Sequence, residues 1–228
     1  MTDVDDNPAD VASGRFRWFT FDVNSLLHEG WQDEILKVAE EHVKPRVLHP
    51  PHLTSREDES VLDLLVGGVG GEVVSAQLPW LLELYRGLFR ELGAQCFANE
   101  KLITAEEPRH AVVLNVQRGN SERYECHVDT NPVEGLLYVT SHPAGHGGEL
   151  AVGNNVHAKG VKEIDADCTV IYPQAGHLVF FDARVHPHYV RSLIQGDVRV
   201  AVAMNFYTPS APESSRPADL DEYLFGNS

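Results

Sequence analysis

Three side chains in this sequence have the types and spacing to hold a redox metal. His127 and Asp129 are separated only by Val128, and a third candidate, His188, follows about sixty residues on. Side chains two apart on a strand point to the same face, so a His-x-Asp pair reaches one ion without contortion. Two imidazoles and one carboxylate occupy one face of an octahedron. That set suits Fe(II) and leaves three positions open for a co-substrate and O₂. Arg199, just beyond, offers a planar fork that could anchor a carboxylate on that co-substrate. His186 rivals His188 as the third ligand, since only Pro187 separates them. His188 is preferred because His188-Tyr189-Val190 opens an apolar run.

The expected relation between His188 and Arg199 rests on the turn at Ile194–Asp197. If that turn is a two-residue hairpin loop, Arg199 pairs with an even-numbered residue and shares the face of His188. Other histidines carry less. His142 and His146 sit in a Gly-rich loop with no partner cysteines, so a solvated loop or a substrate rim is expected there. Cys126 alternates to the opposite face from His127 and reads as packing. No Gly-x-Ser-x-Gly elbow is present.

The elements that must position these residues fall into two halves. From Ala111 onward, short apolar runs bounded by Gly, Pro, Asn or Asp cover 111–116, 135–140, 149–153, 168–172, 177–181, 186–193 and 198–207. This is the pattern of an antiparallel sandwich or jelly roll. Before Ala111, the sequence suggests a strand over 15–21 and helices over 30–43, 55–65 and 79–92, the last opened by Pro79 and closed by Gly93. Helices preceding strands imply a mostly β fold with flanking helices, the N-terminal ones packed on one sheet. Gly67–Gly71 lacks the Lys-Ser or Lys-Thr of a phosphate loop and reads as a flexible connector or lid hinge. The expected organisation is one domain over 1–228. Residues 1–13 form an acidic disordered tail, 15–110 a helical support, 111–208 the catalytic core, and 209–228 a loose Pro/Ser-rich end.

Composition narrows the partners. Acidic residues outnumber basic ones by 34 to 18, a formal charge of −16. Such a surface repels phosphate backbones and anionic lipid, so neither nucleic acid nor a membrane is an expected partner. The three cysteines are scattered, without CxxC spacing, which fits a reducing compartment. With no signal-like start and no long apolar run, a cytoplasmic protein is expected.

Residues 111–207 resemble the 2-oxoglutarate/Fe(II)-dependent dioxygenases, in the branch similar to prolyl 4-hydroxylases. The resemblance rests on Tyr124-x-x-His127-x-Asp129, Leu136-Leu137-Tyr138-Val139 and Gly147-Gly148-Glu149-Leu150. It continues through Pro173-x-x-Gly176 leading into Val179-Phe180-Phe181, then His188-x-Val190 and Gly196-x-x-Arg199. Tyr189 stands where the family often has Glu, and Ser192 where Pro is frequent. The resemblance implies a double-stranded β-helix, a cupin-like jelly roll. It implies Fe(II) on His127, Asp129 and His188, 2-oxoglutarate chelating the metal with its far carboxylate on Arg199, and O₂ as oxidant, with ascorbate as an activator. Tyr138 corresponds to a residue that bonds that carboxylate, and Tyr124 to one lining the pocket. Halogenases of this class replace the carboxylate ligand by Gly or Ala. An intact Asp129 therefore implies hydroxylation, or the related desaturation and cyclisation.

The expected reaction is hydroxylation of an unactivated C–H in a small molecule, such as an amino acid or specialised metabolite, with release of succinate and CO₂. A peptidyl prolyl or other side-chain hydroxylase is the alternative within the class, and a non-catalytic cupin-like binding protein the alternative outside it. Candidate substrate contacts, from expected position, are Arg118, Arg123, His142, Asp182, Arg184 and Asn205.

Overall fold

The computed structural model describes residues 16–97, 101–194 and 196–226. The expected acidic tail and Arg15 lie outside them. The chain opens with β1 (Trp18–Asp22) and α1 (Trp31–His42). Trp31, Ile35, Val38 and Ala39 make the buried stripe of α1, as the helical period requires. Two strands follow, β2 (Lys44–Leu48) and β3 (Leu64–Val69), then α2 (Gly71–Gln77) and α3 (Pro79–Leu84). The latter runs through a π turn at Tyr85–Phe89 into α4 (Arg90–Cys96). After β4 (Ile103–Thr104) and α5 (Pro108–Ala111) come β5 (Val112–Arg118), β6 (Val133–Tyr138), β7 (Leu150–Gly153), α6 (Gly160–Ala166) and β8 (Cys168–Ile171). The chain then forms β9 (His177–Phe181), β10 (His188–Val190), β11 (Val198–Tyr207) and α7 (Leu220–Phe225).

The strands form two antiparallel sheets. The larger runs β1-β9-β6-β11-β5-β3-β2 with β4 also on β11; the smaller runs β10-β7-β8. Alternation along the large sheet builds two cores. One face, with Val112, Leu114, Val116, Val200, Val202 and Met204, packs on Ile35, Val74, Leu81 and Phe89 of the helical half. The other, with Val113, Leu136, Tyr138, Ala201 and Ala203, meets Leu150, Val152, Ile171 and Val190 of the small sheet. This is the mostly β, jelly-roll architecture with helices on one sheet that the strand pattern called for. Among the described residues no helix is long and apolar enough to cross a membrane.

Several local expectations are corrected. Residues 55–65 form no helix, and Leu64 already begins β3. Gly67 and Gly68 are not a hinge: they lie inside β3, paired with Val116 and Asn115 of β5. A Cβ on Gly67 would sit 2.6 Å from the Val116 carbonyl oxygen, so glycine allows the close strand approach there. Gly93 does not end its helix; Phe180 and Leu102 pack against it where a side chain would otherwise stand. The C-terminal segment is docked, not loose. Leu220 is buried, the Tyr223 hydroxyl donates to Glu125 at 2.9 Å, and Arg216 pairs with Asp221. The long sequence region expected to be helical support also contributes β1, β2, β3 and β4 to the large sheet.

Candidate metal and co-substrate site

His127 and His188 are directly opposed. His127 N–H donates to the His188 carbonyl at 3.0 Å, and His188 N–H donates back at 2.9 Å. In such an antiparallel pair both side chains project from the same face, and the two imidazole centroids lie 4.4 Å apart. Each ring is aimed by its own Nδ1, that of His127 2.6 Å from the Glu125 carbonyl oxygen and that of His188 3.0 Å from the His186 carbonyl oxygen. A carbonyl only accepts, so each Nδ1 carries a proton and Nε2 is the nitrogen left to meet a metal. Those two Nε2 atoms face Asp129, at 3.3 Å from Oδ1 for His127 and 3.6 Å from Oδ2 for His188. All three ligating atoms lie within 4.8 Å of one another, a group that could hold a metal ion. Burial opposes charge on both His127 and Asp129. Their contact outweighs it: the Asp129 carboxyl is held well below the usual range and His127 is pushed up to about 9.

His186 takes no part. Its Nδ1 bonds the Gly153 carbonyl oxygen at 2.8 Å and its ring packs edge-on against Phe16.

Arg199 is only 1% exposed, yet its Nε and Nη2 have no hydrogen-bond partner, and neither does the hydroxyl of Tyr138, whose ring centroid lies 5.4 Å from the guanidinium carbon. Burial lowers the pKa of this arginine, as expected of a cation lacking a carboxylate. A buried, unmatched guanidinium is costly unless an anion completes it. Gly148 makes room: its φ is +78°, and a Cβ there would come within 3.2 Å of Arg199 Cδ.

The route by which Arg199 reaches the histidines differs from expectation. β10 and β11 do not form a hairpin. β10 pairs with β7 in the small sheet, and β11 lies between β6 and β5 in the large one. Arg199 and His188 converge because their sheets face each other across the jelly-roll interior. Gln195, in the connecting turn, lies outside the described residues.

One cavity of about 350 Å³ is lined by His127, Asp129, His188, Arg199 and Tyr124. Along β11 the interior positions read Arg199, Ala201, Ala203, Asn205. The two alanines leave space between polar ends roughly 20 Å apart at about 3.3 Å per residue. Of the candidate substrate contacts only Asn205 lines this cavity. The Arg118 side chain is at an exposed strand end, and Arg123 is spent on Glu57 at 2.6 and 2.8 Å. His142 bonds the Val198 carbonyl, and Asp182 accepts from the Arg184 amide. Strand parity alone could not say which end of each strand meets the cavity.

Sequence reasoning passed over Glu134, although parity with Leu136 and Tyr138 puts it on the same inner face. It lines the cavity and accepts from Asn131 Nδ2 at 2.9 Å. Burial first, and then the Asp129 charge, push its carboxyl well above the usual range. An unfolded glutamate ionises near 4.5 while burial holds this one back from ionising, so stability falls as pH rises through and beyond that value. Glu134→Gln keeps the acceptor for Asn131 and removes the penalty. Its Tm should exceed wild type at pH 8, with the gap closing toward pH 4.5; each unit of native shift is worth about 1.4 kcal/mol. A Gln variant no more stable at pH 8 would show that the carboxyl ionises freely. Arg216, Leu220, Leu224 and Phe225 also line the cavity from the C-terminal segment, where no sequence signal marked them.

A family model of the 2OG-Fe(II) oxygenase superfamily matches residues 111–207. Over that stretch, a little under half of its length, the chain is similar to the 2OG-Fe(II) oxygenases. The fold agrees across nearly the whole chain. SnoK, a non-heme alpha-ketoglutarate-dependent carbocyclase from nogalamycin biosynthesis, superposes with a TM-score of 0.63 at 14% identity, covering 98% of this chain and 91% of its own. The epimerase SnoN, solved with Fe3+, alpha-ketoglutarate and nogalamycin RO, gives 0.57 at 13% identity over 93% and 92%. A prolyl hydroxylase from Trichoplax adhaerens, in complex with a hypoxia-inducible-factor peptide, gives 0.51 at 14% identity over 92% and 90%. No curated protein matches by sequence. Iron and 2-oxoglutarate are the groups the oxygenase family uses, and the residues present fit both. Two lone-pair nitrogens and a carboxylate converge for the metal, and an unpartnered buried guanidinium and phenol await the acid.

Proposed function

We propose that this oxygenase binds Fe(II) through His127 Nε2, His188 Nε2 and the Asp129 carboxylate. In this reading it binds 2-oxoglutarate through Arg199 and hydroxylates a C–H bond of a small molecule. The observation that carries the reading is the opening of the His/Asp/His cluster and the unpaired Arg199 guanidinium onto one cavity. His127, Asp129 and His188 would hold the iron, which would supply the oxidation that couples 2-oxoglutarate and O₂ to succinate, CO₂ and a hydroxylated product.

The protein's own residues do the rest. The two Nδ1–H bonds to carbonyls fix both imidazoles and direct their lone pairs inward. Asp129 contributes one negative charge, which offsets part of the metal's. Arg199 fixes the far carboxylate of the oxoacid and thereby the orientation of its keto acid end, with the Tyr138 hydroxyl as a second donor and Tyr124 at the wall. Val113, Leu136, Leu150, Phe181 and Val190 keep the cavity apolar and exclude water from the reacting centre. Asn205 and the Glu134–Asn131 pair offer hydrogen bonds at the substrate end.

A small substrate is favoured over a peptide because α7 forms part of the cavity wall. Leu220, Leu224 and Phe225 narrow the space to a volume typical of small-ligand sites. SnoK and SnoN are likewise named for nogalamycin chemistry. The test is to supply purified protein with Fe(II), 2-oxoglutarate, ascorbate and air, measure succinate, and screen small molecules by mass spectrometry for a gain of one oxygen. Succinate formation stimulated only by proline-containing peptides would favour the peptidyl alternative. No iron-dependent succinate under any condition would reject the reading.

A further inference from the structure

The segment that carries His127 and Asp129 is not part of a regular strand; only an isolated bridge ties His127 to His188. A loop from the N-terminal half holds it in place. Val128 N–H donates to the Thr54 carbonyl at 3.0 Å, Ser55 bridges His127, and Arg56 N–H donates to the Cys126 carbonyl at 2.6 Å. At the centre is Glu57, whose side chain is 2% exposed. Its Oε1 accepts from Cys126 N–H at 2.6 Å and from Arg123 Nη1 at 2.6 Å, and its Oε2 accepts from Arg123 Nη2 at 2.8 Å.

Cys126 N–H belongs to the same peptide unit as the Glu125 carbonyl, and that carbonyl accepts the His127 Nδ1–H at 2.6 Å. The chain of contacts therefore runs from the Glu57 carboxylate, through one rigid peptide plane, to the back of the His127 imidazole. The amide is planar, so fixing its N–H fixes its C=O. A carboxylate on the N–H also makes the carbonyl a stronger acceptor, because hydrogen bonds in series polarise one another. Direct carboxylate–histidine contacts behind a metal orient the ring and raise its basicity. Here the carboxylate would do the same across a peptide.

We propose that Glu57 is a positioning residue of the metal centre, which aims and polarises His127 through the Glu125–Cys126 peptide, with Arg123 clamping the carboxylate in register. This gives the N-terminal half a part in the chemistry beyond covering the large sheet. It rests on His127 being a ligand, as proposed above.

The test uses full-length protein with Glu57→Gln and Glu57→Ala, titrated with Co(II) as the iron surrogate. The His127 Nδ1–H proton is followed in the same samples by nitrogen-labelled histidine NMR. The Gln variant keeps the shape and an oxygen acceptor but loses the charge and opposes Arg123. It should bind Co(II) about tenfold more weakly and move the Nδ1–H resonance upfield. The Ala variant should lose about a hundredfold, the range measured when such outer partners of ligands are removed. If the Ala variant does not fold, the Gln variant decides alone. Wild-type Co(II) affinity together with an unmoved Nδ1–H in the Gln variant would overturn the proposal, whatever happened to Tm. Failure of the underlying metal reading looks different: wild-type protein would itself not bind Co(II), or would bind it equally well with His127→Ala.

Discussion

His188→Ala is expected to weaken Fe(II) or Co(II) binding by more than about a hundredfold and to abolish succinate formation. Loss of a mere hydrogen-bond partner of a ligand already costs ten- to a hundredfold, and here one of three donor atoms goes. Asp129→Ala should do at least as much damage, since it also removes the only negative charge of the set. The control is His186→Ala, two residues away and also buried. Its Nδ1 is committed to the Gly153 carbonyl and its ring to Phe16, so it should lose stability while binding metal within a few-fold of wild type. Isothermal titration with Co(II) decides between them. Metal binding that survived His188→Ala but vanished in His186→Ala would reverse the ligand assignment.

Arg199→Met should raise the KM for 2-oxoglutarate by roughly a hundredfold or more while leaving metal affinity near wild type. A buried, charge-assisted carboxylate contact is worth about 2–5 kcal/mol, and each 1.4 kcal/mol is a factor of ten. The same substitution has an opposite effect on the ligand-free protein. Without an anion, Arg199 is a buried cation whose Nε and Nη2 are unmatched, so an apolar side chain of similar length should leave the apoprotein as stable or more stable. Wild-type protein should gain thermal stability on adding 2-oxoglutarate, by RT ln(1 + [L]/Kd), and the Met variant should gain almost none at the same concentration. An apoprotein strongly destabilised by Arg199→Met, with unchanged response to the oxoacid, would make Arg199 a structural residue.

The candidate site was legible in the sequence to different depths. His127 and Asp129 could be read because a two-residue spacing has one geometric meaning on extended chain, even though here the chain is extended without being a ladder strand. The core strands could be read because short apolar runs and their Gly/Pro punctuation are local. Gly67-Gly68 misled, since a glycine pair signals flexibility locally and close strand packing only when the neighbour, Val116, is known. Gly93 misled in the same way, reading as a helix end when it is a contact for Phe180. The C-terminal segment gave no signal: Arg216, Leu220 and Phe225 reach the cavity through packing partners far away in sequence.

By itself the sequence determined the His127-x-Asp129 pair, the apolar runs that become the core strands, and the resemblance that names 2-oxoglutarate, because each depends on residue type and short spacing. Only the tertiary structure decided that His188 and not His186 turns inward. It also decided that Arg199 meets the histidines from an opposing sheet, and that Glu57 stands behind His127. Those are contacts between segments tens of residues apart, set by how sheets and loops stack, and no local pattern encodes that distance.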